Sequence, residues 1–111
     1  MKIAIPTKSD KGLEDLVSDV FGRAKTFTIL DISNGSIVNV EVVKNPAANY
    51  KHGAGPIVVK MLTDKNIKAI AARELGEGAS TLLEMNKIRK LKVKANIPVK
   101  EAIPNIIKAL G

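Results

Sequence analysis

Apolar and polar positions along this chain follow two different periods, and the switches between them mark its elements. Lys2-Ile3-Ala4-Ile5-Pro6-Thr7 reads as a short strand stopped by Pro6, because proline cannot donate to a strand ladder. Residues 8–25 break the pattern with Asp, Ser, Lys and Gly. They predict a long connection holding a short helical turn around Leu13–Val17. Thr26–Ile32 and Ser36–Val43 are rich in strand-forming residues. Asn34-Gly35 between them suits a two-residue type I′ turn, where both central residues need positive φ. That tip pairs Ile32 with Ile37, Ile29 with Val40 and Phe27 with Val42. It also puts Phe27, Ile29, Val38, Val40 and Val42 on one face, expected to be buried.

After a second long loop over 44–55, Pro56 sits where a helix tolerates proline, in its first turn. Ile57, Val58, Met61 and Leu62 make the apolar stripe of a helix ending near Asn66. Ile67–Ala72 is short, apolar and small, as in a strand covered on both faces. A third loop from Arg73 to Gly78 opens a helix carrying Ala79, Leu82 and Leu83. Leu91, Val93 and Ala95 then alternate with Lys90, Lys92 and Lys94, which predicts a strand at or near a sheet edge with one lysine face. Val99, Ala102, Ile103, Ile106, Ile107 and Leu110 recur at helical spacing, and Pro104 among them predicts a kink or a late start. The order β-β-β-α-β-α-β-α predicts an α/β fold: one mixed sheet, antiparallel then parallel, with helices packed on its faces. A chain of 111 residues is one domain and can bury a core without covalent staples.

Composition narrows the chemistry. The chain has no cysteine, which excludes a disulfide framework, a Cys-based zinc site, a fully Cys-ligated iron–sulfur cluster and a thiol nucleophile. Its single histidine, His52, excludes a multi-histidine metal site. Eighteen Lys and Arg stand against 11 Asp and Glu, a net charge of +7, which favours acidic partners, phosphate or another anion, and nucleic acid. Phe21, Phe27 and Tyr50 are the only aromatic residues, too few for a base-stacking platform of the RRM kind. The apolar runs are too short to span a membrane, and MKIAIPT has no signal-peptide core, so the expectation is a cytoplasmic protein without a membrane partner.

Three loops carry candidate binding groups. A neutral imidazole at His52 can ligate iron, molybdenum or zinc, and Lys51 beside it adds charge. Gly53-Ala54-Gly55-Pro56 and Gly76-Glu77-Gly78 each open a helix, where free N–H groups and the helix dipole favour an anion. Both helices follow strands, so both N-termini are expected on the same sheet edge. Arg23, after Gly22, can clamp an oxyanion or pair with Asp19 or Asp31. Arg73 and Glu74 can pair with other loop charges. Lys87, Arg89, Lys90, Lys92, Lys94 and Lys100 form a basic run read as a solvated edge, with a nucleic-acid or acidic-protein surface as the alternative.

The opening MKIAIPT, Phe21-Gly22-Arg23-Ala24, Asn45-Pro46 with His52-Gly53-Ala54-Gly55-Pro56, and the Leu75-Gly76-x-Gly78-Ala79 turn occur in a set order and spacing. In that ordered set the chain resembles the dinitrogenase iron–molybdenum cofactor biosynthesis proteins, the NifX/NafY-like family, as a stand-alone domain. The resemblance implies a ribonuclease H-like α/β fold. It also implies transient binding or carriage of an iron–molybdenum or iron–sulfur cluster or its precursor, without catalysis, among metallocluster biosynthesis proteins. Family histidines often stand at the positions of Val20 and Tyr50, so His52 is the one side chain here that keeps the family's type of metal ligand. The cluster site implied gathers His52, Arg23, Lys51, Gly53, Gly55, Gly76 and Gly78.

Overall fold

A computed structural model describes residues 1–111, apart from the side chain of Glu77. Five strands form one mixed sheet: β1 (Lys2–Thr7), β2 (Thr26–Ser33), β3 (Ser36–Lys44), β4 (Ile67–Ala72) and β5 (Arg89–Lys92). Their spatial order is β3-β2-β1-β4-β5. The first three strands are antiparallel neighbours, and β4 and β5 run parallel to β1. This is the α/β architecture expected, and it is compatible with a ribonuclease H-like fold. Three helices complete it: α1 (Ala54–Asp64), α2 (Glu77–Met85) and α3 (Val99–Leu110).

The sheet has a core on each face because strand side chains alternate. Ala4, Phe27, Ile29 and Ile70 face α1 and α2, joined by Val58, Leu62 and Leu83. Ile3, Ile5, Leu30 and Ala69 face α3, joined by Val99, Ala102 and Ile106. Every residue of β4 except Lys68 is buried, as its apolar run predicts. Phe21 and Phe27 meet edge to face with centroids 5.4 Å apart, which anchors the loop after β1 to the α1 and α2 side.

Several local expectations need correction. Pro6 does not end its strand: β1 runs to Thr7 at the sheet's centre. Pro6 lies beyond the residues that pair with β4, where no ladder donor is needed, and its carbonyl accepts from the Ser18 N–H at 2.8 Å. The helical turn is a 3-10 turn at Gly12–Glu14 only, because Leu16 and Val17 are drawn into bridges with Pro98 and Thr7. The hairpin turns at Asn34-Gly35 with positive φ at both residues, and Ile32 pairs with Ile37. A register shift after Asp31 then moves the pairing by one, so Ile29 meets Glu41 and Phe27 meets Val43. Val40 therefore lies opposite Leu30, on the other face from Ile29, and Val38 and Val40 are exposed on this edge strand, while Phe27 and Ile29 are buried. In α3 the helix begins at Val99 and runs through Pro104, and Ile106 is buried while Ile103 and Ile107 are half-buried at its flanks. The strand over Leu91–Ala95 is shorter than its alternation suggests, ending at Lys92, and it is a sheet edge as expected.

Candidate functional site

The residues that could hold a ligand gather where β1, β4 and α1 and α2 meet. Asn45 builds this corner. It is buried, and its side-chain amide donates to the carbonyls of Gly22 (2.9 Å) and Ala24 (2.8 Å). Its carboxamide oxygen accepts from the Ala47 N–H at 2.8 Å. One side chain thus ties the loop after β3 to the Phe21-Gly22-Arg23-Ala24 turn, and the turn is held against the start of α1. A Cβ on Gly22 would lie 3.6 Å from the Ala54 Cβ, so the two segments are in contact.

The first turns of α1 and α2 also abut. A Cβ on Gly55 would lie 4.0 Å from the backbone nitrogen of Ala79. Neither helix has a side-chain cap: Gly53, in the left-handed region with φ 75°, caps α1, and Gly76 caps α2. First-turn N–H groups and the positive ends of both dipoles are therefore left to solvent or ligand. Between the turn and the two helix starts lies a cleft of about 240 Å³. Asp19, Val20, Phe21, Gly22, Arg23, Ala54, Glu74, Gly76 and Ala79 line it.

Arg23 stands at this cleft, exposed, and among the described side chains no carboxylate pairs with it. Asp31, one of its two expected partners, instead meets the N-terminal ammonium at 3.3 Å. Asp19, the other, accepts from the Asn96 amide at 2.7 Å. Lys51 and His52 lie exposed on the loop that leads into α1, and the His52 side chain is not part of the cleft lining. Gly76 is in the cleft wall, Gly55 sits behind it against Gly22 and Ala79, and Gly53 and Gly78 flank it in sequence. Asp15 is buried, and its oxygens accept from the Ser9 N–H, the Ser9 hydroxyl and the Leu16 N–H, so it is committed to the loop's own structure. Among the described residues, no three of His, Asp and Glu converge as a metal-binding group.

Gly78 is informative because nothing about the backbone demands it. Its φ is not in the left-handed region and a Cβ there would meet open space. A glycine in a helix costs about 1 kcal/mol against alanine. Gly78→Ala is expected to stabilise the domain by about 0.4–1 kcal/mol, read as a raised urea midpoint. An unchanged midpoint would mean that the glycine carries no helix penalty at this position, and a lowered one that it is required by the fold.

Sequence reasoning placed the three loops together and missed two features. Asn45 was visible only as part of an Asn-Pro pair, and its role depends on two carbonyls more than 20 residues away in sequence. The basic run from Lys87 to Lys100 is not one surface. Lys90 bonds Glu84 and Ser80, Lys100 bonds Glu14, and Arg89 donates to the Ala109 carbonyl. Lys92 and Lys94 line a separate groove together with Arg73 and Asp19, so they adjoin the cleft instead of facing away from it.

Fold and site together define a small α/β domain whose cleft lies against two uncapped helix starts. The chain belongs to the dinitrogenase iron-molybdenum cofactor family, whose model matches residues 1–109. It is 32% identical over 84 residues to an uncharacterized protein of Methanocaldococcus jannaschii, covering 76% of this chain and 67% of that one. Its fold matches the apo form of the orange protein from Desulfovibrio gigas with a TM-score of 0.86 and 25% identity, over 97% of this chain and 88% of the other. It matches a Thermotoga protein described as a candidate NifB protein with a TM-score of 0.78 and 36% identity, over 96% and 87%. Among the described residues, no helix is long and apolar enough to cross a membrane.

Proposed function

We propose that the protein is a non-enzymatic binding or carrier domain for an anionic metallocluster, of iron–molybdenum or iron–sulfur type, or for its precursor. The observation that supports this most is the cleft where two uncapped helix N-termini converge with Arg23, which no described carboxylate pairs. The donor set suits a cargo that brings its own ligands. With no thiolate and one imidazole, the chain's sulfur and nitrogen side-chain donors can offer one protein–metal bond, from His52. The rest of the hold comes from N–H groups around Gly53, Gly55, Gly76 and Gly78, and from the fields of Arg23 and Lys51. Such a hold is modest, as suits a protein that passes its cargo to metallocluster biosynthesis partners. Membership of the family, and likeness to the Thermotoga protein, favour this reading over a nucleic-acid surface. The splitting of the lysine run by structural pairings weighs the same way.

The test is anaerobic mixing with isolated iron–molybdenum cofactor, followed by desalting and molybdenum analysis of the protein fraction. Arg23→Ala is expected to weaken retention by about tenfold, the value of one charge-assisted contact. His52→Ala is expected to weaken it while changing stability by no more than about 0.5 kcal/mol, because the residue is exposed. Equal retention by wild type and both variants would overturn the assignment of these residues.

A further inference from the structure

Beside the cleft, at the C-terminal ends of β4 and β5, lies a larger groove of about 810 Å³. This is the edge at which open α/β sheets collect ligands. Arg73, Lys92 and Lys94 bring three cations to its lining, and among the described residues Asp19 is its one acid, already bonded to the Asn96 amide at 2.7 Å. Among the described side chains, neither Lys92 nor Lys94 has an ion-pair partner, and Arg73 has only the exposed Glu74 at 3.8 Å. Asn105 adds an amide that can donate and accept, while the Asn96 amide already donates to Asp19 and accepts from Lys8.

We propose that this groove docks an acidic polypeptide segment of a partner protein. Three cations spread along an open trough match several carboxylates better than they match one compact anion. The Asn105 amide can bond a peptide backbone, which offers both donors and acceptors. No aromatic side chain lines the groove, so a nucleic acid would find phosphate contacts but nothing on which its bases could stack. The groove and the cleft share Asp19, so a partner docked here is adjacent to whatever the cleft holds. The docking itself does not depend on the cleft's ligand.

The experiment uses the full chain and a fluorescent decapeptide of alternating Asp and Glu, with a Gln-Asn decapeptide and decathymidylate as comparisons. The acidic peptide is expected to bind in a salt-dependent way, and Lys92→Glu with Lys94→Glu is expected to weaken it by about tenfold or more. Lys60→Glu with Lys68→Glu makes the same change in net charge on α1 and at the start of β4, and is expected to change binding by less than about twofold. Circular dichroism verifies that both double variants are folded. Equal losses in the two variants would reduce the effect to net charge and overturn the proposal. So would failure of the acidic peptide to bind at low salt, or tighter binding of decathymidylate that is lost with Lys92 and Lys94.

Discussion

Ile106→Ala is expected to destabilise the domain by about 2–5 kcal/mol, the range for removing a buried branched side chain from a packed core. Ile106 is 1% exposed and lies where α3 meets Ile3, Ile5 and Leu30. Its face of the sheet depends heavily on α3, because the other described cover there comes from the short 3-10 turn through Leu13 and from loop residues such as Val17 and Val93. Little can collapse into the space left by the missing carbons. A loss below about 0.5 kcal/mol in a denaturant titration would mean that α3 presents another face to the sheet.

Asn45→Ala is expected to cost roughly 2–4 kcal/mol, because it leaves the Gly22 and Ala24 carbonyls and the Ala47 N–H without a partner at a buried corner. The same change releases the Phe21–Ala24 turn from the loop after β3. Ligand binding at the cleft is therefore expected to fall further than for Arg23→Ala. Asn45→Asp separates the two roles: it keeps an acceptor for Ala47 and sets a carboxylate against two carbonyls. It is expected to fare no better than alanine. A stable Asn45→Ala variant with intact ligand binding would show that the turn is held by Phe21 packing alone.

Much of this fold was legible because its signals are local. Asn34-Gly35 specifies a turn that only residues tolerant of positive φ can make, and the apolar spacing from Val99 to Leu110 specifies one helical face. What escaped were consequences of tertiary position. Pro6 sits in a central strand because the ladder with β4 has already ended, which no property of Lys2–Thr7 reveals. The register shift after Asp31 set Val40 opposite Leu30 instead of Ile29, and Val38 and Val40 are exposed at the sheet edge, although their β propensity equals that of buried valines. The site was legible in outline, since glycines before two helices after strands place both helix starts on one edge. Its detail was not. Arg23 is without its expected partners because Asp31 lies beside the chain's own ammonium group and Asp19 beside Asn96, contacts that join distant parts of the sequence. Lys92 and Lys94 part company with Lys90 and Lys100 for the same kind of reason.

The most direct test of the cleft as the ligand site is an anaerobic titration of isotope-labelled apo-protein with iron–molybdenum cofactor, followed by amide shifts and broadening. The account predicts changes at Gly22 and Arg23, over Lys51–Gly55 and at Gly76–Ala79, with the rest of the sheet undisturbed. Changes concentrated on Lys90–Ala95, with Lys51–Gly55 and Gly76–Gly78 untouched, would contradict it.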